Sequence, residues 1–306
     1  MSNILESAIE KIISEGLAWK KEFFDLMEAR GIHITPVHFY SAIPKVSELS
    51  DEIWQRVSDL PGIDMRDSFQ VSFLKQVCAS YSHEYGTFPL HPTPIAHQYH
   101  HDQMMFRSVD AEILHCMVRY FKPKKLIEVG SGYSTFISAA ASLINTKEGH
   151  PADLTAIEPY PNDVLKNGFP GLNSLRTEPV QDIPLSLSES LGKNDILFID
   201  SSHVAKVGSD VLYLFLEVLP RLKEGVVVHV HDIFIPMDYP KDWIVNEHRF
   251  WTEQYLLQAF LIHNTAYEVL WGGSYMHLKH SDLLNQYFPR YSSREHWPGS
   301  FWIRRR

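Results

Sequence analysis

The chain of 306 residues contains only two cysteines, Cys78 and Cys116, which excludes a disulfide framework. Both lie in apolar, helical-looking stretches, so buried free thiols in a reducing compartment are expected. Basic charge is in deficit: 28 Lys plus Arg stand against 37 Asp plus Glu, a net charge of −9. A duplex nucleic-acid binder carries the opposite balance, so nucleic acid is not an expected partner. The closing Arg304, Arg305 and Arg306 read as a solvated tail. No apolar run reaches the ~18 residues of a membrane span. Glu6, Glu10 and Glu15 interrupt what would be the apolar stretch of a secretion signal. The expectation is a cytoplasmic protein without a membrane partner. Glycine is sparse at 15 residues, fewer than the 17 histidines. What is abundant is apolar material, 44% of the chain, enough to offset chain entropy and exclude disorder as the dominant state.

The histidines cluster as His97, His100 and His101, then His203, then His229 and His231. Imidazole is a frequent metal ligand and acid–base group, so metal or proton-transfer chemistry is in view. Residues 1–30 read as one amphipathic helix, with Ile4, Ala8, Ile12 and Ile13 on one face and Gly31 as the stop. Six prolines break residues 32–100 into short pieces, leaving one predicted helix over 67–80. Residues 1–104 are therefore expected to form a mainly helical cap or substrate-side extension.

From residue 108 the pattern is regular, and residues 105–306 are expected to form the second, Rossmann-like domain. Ser108 is placed to N-cap a helix, with Asp110 and Glu112 in its first turn. Leu114, Met117, Val118 and Phe121 follow at helical spacing, and Pro123 ends the run. Strands are predicted over 126–129, 154–158, 175–181, 196–200, 226–231, 267–271 and 300–304. Helices are predicted over 135–144, 209–222 and 247–263, and Gly272-Gly273 reads as a turn. Strands alternating with helices imply a doubly wound, mostly parallel α/β sheet. Near-continuous apolar strands fit a sheet covered on both faces. Ligands in such sheets bind outside the carboxyl ends of the strands.

Those ends carry the chemistry. Gly130 and Gly132 permit a tight turn and close backbone approach to a ligand. The third glycine of a dinucleotide fingerprint would fall at Thr135, which argues against a pyrophosphate. Glu158 ends the second strand, where a carboxylate accepts from both hydroxyls of a ribose. Asp200 ends the fourth strand with His203 three residues on, and His231-Asp232 ends the fifth. Adjacent strands bring Asp200 and Asp232 together, and two acids repel unless a cation or proton lies between them. Carboxylates with an imidazole suit a divalent cation, and a neutral His203 would take a proton from a substrate hydroxyl. His229 reads either as site-facing or as a core histidine. The run 97–102 reads equally as a closure over a ligand and as a surface loop. Trp243, Trp251 and Tyr255 read as pocket lining or core.

Taken in order, Leu126–Thr135 (LIEVGSGYST), Ile157-Glu158, Leu197–His203 and His229–Phe234 resemble a class I S-adenosylmethionine (SAM)-dependent methyltransferase. The chain is most similar to the bacterial small-molecule O-methyltransferase-like group, over about residues 105–306. The resemblance implies a Rossmann-like seven-stranded sheet with the last strand between the fifth and sixth. It implies SAM as cofactor, with Gly130, Ser131, Gly132 and Tyr133 at its amino-acid part and Glu128 close to its amine. Glu158 would hold the ribose, and Gln181 and Asp182 would face the adenine. Asp200 would contact SAM or orient the base, and His203 would be that base. Asp200, His231 and Asp232 would hold a divalent ion, whether Mg, Mn or Fe. Catechol-type members carry Lys where His203 stands, and Asp-Asn where His231-Asp232 stands. The function so implied is O-methylation of a small hydroxylated metabolite. An NAD(P)-dependent oxidoreductase and a metal-binding, non-methylating protein remain the alternatives, and a homo-oligomer is left open.

Overall fold

The computed structural model describes residues 2–306. Seven strands form one sheet: β1 Lys125–Val129, β2 Asp153–Ile157, β3 Ser174–Arg176, β4 Ile196–Ile199, β5 Val227–Val230, β6 Tyr267–Gly272 and β7 Phe301–Arg305. Their order is β3-β2-β1-β4-β5-β7-β6. All pairings are parallel except those of β7, which runs antiparallel between β5 and β6. This is the architecture expected from the sequence, including the place of the last strand.

Side chains alternate across the sheet. Leu126, Phe198, Val227 and Trp302 face a core shared with helices Asp110–Phe121 and Tyr133–Lys147. Ile127, Val129, Leu197, Ile199, Val228 and Val230 face a second core with Val211 to Leu222, Leu257 and Leu261. Two apolar faces explain why the strands read as unbroken hydrophobic runs. Cys78 and Cys116 are buried and free.

The N-terminal part departs from a single long helix. It divides into Ser2–Ser14 and Lys21–Glu28, because Gly16 turns the chain through a left-handed conformation (φ +59°). No residue from 3 to 59 is buried. From Leu60 onward the chain joins the core, through Met65, Phe73, Leu74, Tyr85, Tyr99 and Phe106. The first stretch of this segment also covers the open edge of β6. Arg66 Nη1 donates to the Val269 carbonyl (3.1 Å), and the Gln70 side chain accepts from Gly272 N (2.8 Å). Edge groups satisfied in this way cannot template a foreign strand.

Four local expectations are corrected. Ser108 does not cap its helix; its hydroxyl donates to Glu112 Oε1 (2.8 Å), and the helix begins after Val109. β3 stops at Arg176, three residues before Pro179, which has no amide to continue a ladder. The predicted helix over 247–263 is only Glu253–Leu261, since Thr252 N and Glu253 N donate instead to the His203 carbonyl (2.9 and 3.1 Å). Gly273 is not a turn but opens the helix Gly273–Tyr287. A Cβ there would stand 2.9 Å from Pro298 Cβ, so glycine serves close packing.

Candidate active site

The turn after β1 is built on Gly130. Its φ is +77°, and a Cβ would fall 1.8 Å from the Asp200 carbonyl oxygen, so only glycine fits. β1 and β4 are thereby drawn together at their carboxyl ends. Ser131 N donates to Glu158 Oε2 (3.2 Å) and Tyr160 N to Glu158 Oε1 (2.8 Å), which fixes that carboxylate beside the turn. A cavity of about 1110 Å³ opens there, lined by Gly130 to Ser134, Glu158, Asp200, His203, His231 and Asp232. Trp243 and Trp251, packed on each other at 5.2 Å between centroids, also line it, as do Trp297 and residues of the 92–108 segment. The volume lies at the top of the roughly 300–1,000 Å³ range of ligand sites, with room for a cofactor and a small second molecule.

Not every predicted residue reaches it. Glu128 is fully buried beneath the turn, where Oε1 accepts from Ser134 Oγ (2.6 Å) and Thr135 Oγ1 (2.9 Å). Its Oε2 has no partner. Burial pushes this carboxyl up to about 8, against the lowering effect of the two hydroxyls. An acid raised on folding is stable while protonated, and its folded state loses ground as pH rises from the unfolded value near 4.5 through 8. Glu128→Gln mimics the protonated form. Its thermal midpoint is therefore expected to exceed wild type by a margin that widens from pH 5 to pH 8 and is constant above. Scanning calorimetry across that range checks the sign; a margin that narrows with pH would overturn it. Gln181 and Asp182 lie in the turn Val180–Asp182, outside the large cavity. Asp182 lines a separate cavity of about 430 Å³ with Arg176 and Glu178.

Three groups do converge at the ends of β4 and β5. His203 Nε2 is 3.3 Å from Asp200 Oδ1 and 3.6 Å from Asp232 Oδ2. One ligand atom from each of the three lies within 4.8 Å of the others. His203 and Asp232 both hold positive φ (+61° and +54°), backbone strain of the kind that persists where surrounding structure enforces it. The other face of the His203 ring is anchored: Nδ1 lies 2.9 Å from Glu253 Oε2, and Ser201 Oγ donates to Glu253 Oε1 (2.9 Å). Trp251 packs on the ring at 4.2 Å between centroids.

His231 lines the same cavity but stands apart from this trio. Its Nε2 is 3.8 Å from Asp232 Oδ1, and its ring sits by Phe106 and His229. His229 is fully buried, stacked on Phe198 at 4.0 Å, with neither ring nitrogen partnered. Burial holds His229 well below the usual imidazole range, and His231 adds to that.

Burial would push His203 down, but hydrogen bonds to Asp200 and Glu253 outweigh it and hold the imidazole well above its usual range. Burial pushes Asp200 up, yet His231 and His203 bring it below the usual carboxylate range. Burial leaves Asp232 above that range, despite His231 and His203. The trio thus sets two carboxylates around one imidazole nitrogen, where a proton or a cation relieves their repulsion.

Sequence reasoning missed Glu253. Its signal was an acid on the buried face of an apolar helix, where a charge without a partner is costly.

A methyltransferase-domain family model matches residues 127–233, from β1 to just past β5. A protein of Archaeoglobus fulgidus, known only as uncharacterized, is 32% identical over 171 residues, covering 53% of this chain and 75% of that one. Among solved structures, the plantazolicin methyltransferase BamL, in complex with a triazolic desmethylPZN analog and SAH, is 13% identical. It covers 79% of this chain and 99% of BamL, at a TM-score of 0.42. A Mg–SAM structure of CmcI is 15% identical, covering 67% and 74%, at 0.38. Both likenesses are low in identity and in superposition. The match spans the strands that carry the glycine turn and the acidic strand ends, so residues 127–233 are a methyltransferase domain.

Proposed function

We propose that the enzyme methylates a hydroxyl of a small metabolite, with a divalent cation seated by Asp200, His203 and Asp232. The observation that carries this is the convergence of two carboxylates on one imidazole nitrogen at the rim of the cofactor turn. The donor set fits a hard or borderline divalent ion. Glu253 has the place of the carboxylate that fixes a ligating histidine: accepting from Nδ1–H leaves the Nε2 lone pair for the ion. When bound, such an ion lowers the pKa of a coordinated hydroxyl and orients it.

The chain's own groups supply the rest. Gly130 to Tyr133 would receive the amino-acid part of SAM, and Glu158 the ribose. Alignment of hydroxyl and methyl is the main requirement of an in-line transfer, and the wall of Trp243 and Trp251 limits how an acceptor enters. Residues 1–104 act in this reading as the substrate-side extension, since residues between 92 and 104 line the cavity.

His203 has two candidate roles. A general base needs a free lone pair, yet the hydrogen bonds to Asp200 and Glu253 shift this imidazole toward its protonated form. That favours His203 as a ligand whose proton leaves when the ion arrives.

Titration calorimetry of SAM, with and without EDTA, combined with methyl-transfer assays on hydroxylated acceptors, tests the reading. SAM is expected to bind in both conditions, with transfer restored only by Mg or Mn. Undiminished transfer in EDTA would remove the cation and return His203 to the role of base.

A further inference from the structure

Among the described residues, two arginines and no lysine line the large cavity: Arg107 and Arg249. Arg249 is already neutralised. Its Nη2 lies 2.6 Å from Glu247 Oε2, and its guanidinium packs over Trp243 and Trp251, 4.8 and 5.3 Å from their ring centroids. Arg107 forms no ion pair with any described residue; its Nη1 donates to the Glu295 carbonyl at a long 3.4 Å. In a chain with 37 acids and 28 Lys plus Arg, a cavity guanidinium without a carboxylate runs against the charge balance. We infer that Arg107, with His296, receives a carboxylate of the acceptor, so that the substrate is a hydroxylated aromatic acid; the inference rests on the methyl-transfer reading above.

Arg107 stands on the acceptor side of the cavity. Phe106, just before it, packs on His231 at 4.8 Å between centroids, and Asp110, just after, accepts from Gly299 N and Ser300 N (both 3.0 Å). Gly299 in turn lies against Asp232, since a Cβ there would stand 3.1 Å from Asp232 Cα. The segments 106–110 and 295–300 thus meet beside the end of β5. β4 separates that end from β1, whose turn serves the cofactor.

His296 lines the same cavity and adds a donor. Its Nδ1 accepts from Ser292 N (3.0 Å), which places the ring proton on Nε2. Burial, and Arg107 nearby, hold this imidazole below its usual range, so it is neutral near pH 7 and keeps one N–H to give. A guanidinium fork with one imidazole N–H matches the two oxygens of a carboxylate. A phosphate dianion would bring more negative charge toward Asp200 and Asp232 than these donors offset. Trp251 lies on the His203 ring at 4.2 Å and Trp243 on Trp251 at 5.2 Å, aromatic surface that suits a flat ring next to the reacting hydroxyl.

The test uses two probes that differ only in this charge. Calorimetry on protein loaded with S-adenosylhomocysteine, in manganese buffer, compares 3,4-dihydroxybenzoate with its methyl ester. Wild type is expected to bind the acid about tenfold or more tighter, the usual effect of a hydrogen bond to a charged group. Arg107→Ala should abolish that preference and leave the affinity for the ester unchanged, which also shows that the variant is folded. Arg107→Lys, which keeps the charge without the fork, should restore part of the preference. Equal affinity of wild type for acid and ester would overturn the inference, and so would a preference that survives in Arg107→Ala. Equal losses for both probes in that variant would make Arg107 a packing residue. Binding of neither probe by the loaded protein would dismiss the aromatic acid and leave the cofactor reading standing. If S-adenosylhomocysteine itself does not bind, the cofactor reading fails, and the acceptor site falls with it.

Discussion

Asp232→Asn is expected to reduce divalent-cation affinity and methyl transfer together, by about a hundredfold or more. Loss of a supporting carboxylate around a metal costs 10–100-fold, and a ligand costs at least as much. Asp232 lies on the turn after β5, 3.6 Å from His203 Nε2, and it contributes one of two negative charges facing that nitrogen. An amide offers an oxygen without the charge. The measurement is a manganese titration of wild type and variant, followed by thermal unfolding with and without manganese. Wild type should be stabilised by the ion, since a ligand that binds only the folded state raises its stability. The variant should show little shift while keeping its affinity for SAM. Glu253→Gln should fall between the two, because it leaves all three ligands and loosens only the orientation of His203. Equal manganese affinity in all three proteins would dismiss the cation seat.

Gly130→Ala should be the most damaging single methyl group in the protein. The added carbon would meet the Asp200 carbonyl oxygen at 1.8 Å, in a backbone conformation with φ +77°. Neither obstacle is a side chain that can swing away. We expect a loss of at least about 3 kcal/mol, among the large effects tied to strained backbone and overpacking. Gly132→Ala is the contrast. Nothing lies within 4 Å of a Cβ at Gly132, so folding should be retained. The methyl group would project at the cofactor turn, and SAM affinity should fall. Thermal unfolding and calorimetry on the pair separate the two effects. A Gly130→Ala protein as stable as wild type would mean that β1 and β4 do not approach as described.

The strands were legible because most of them are apolar runs followed closely by a glycine or an acid, whereas the place of the last strand between the fifth and sixth came from the family resemblance. Asp200, His203 and Asp232 were legible because each stands within four residues of a strand's carboxyl end, although the expected ligand set had His231 where the trio has His203. What escaped notice depends on partners distant in sequence. Glu253 pairs with His203 across 50 residues, and helix periodicity does not show which buried acid has a partner. His231 was grouped with the acids because it ends β5, yet Phe106 and His229 flank its ring. Gly273 read as a breaker because glycine usually is one; close packing on Pro298 is a tertiary fact. Gln181 and Asp182 were placed by the resemblance rather than by any pattern of their own. They lie in the turn Val180–Asp182, beyond the end of β3 and outside the large cavity.

The position of β7 bears on how the sheet assembles. β5 finds its second neighbour only in residues 301–305, some seventy positions further along, and β6 joins the sheet only through that same strand. During synthesis the five parallel strands can associate first, leaving the Val227–Val230 edge unpaired until β7 arrives. An apolar edge without a partner invites pairing between nascent chains, and contacts this distant in sequence form slowly. The interval before β7 docks is thus when the chain is most exposed to aggregation.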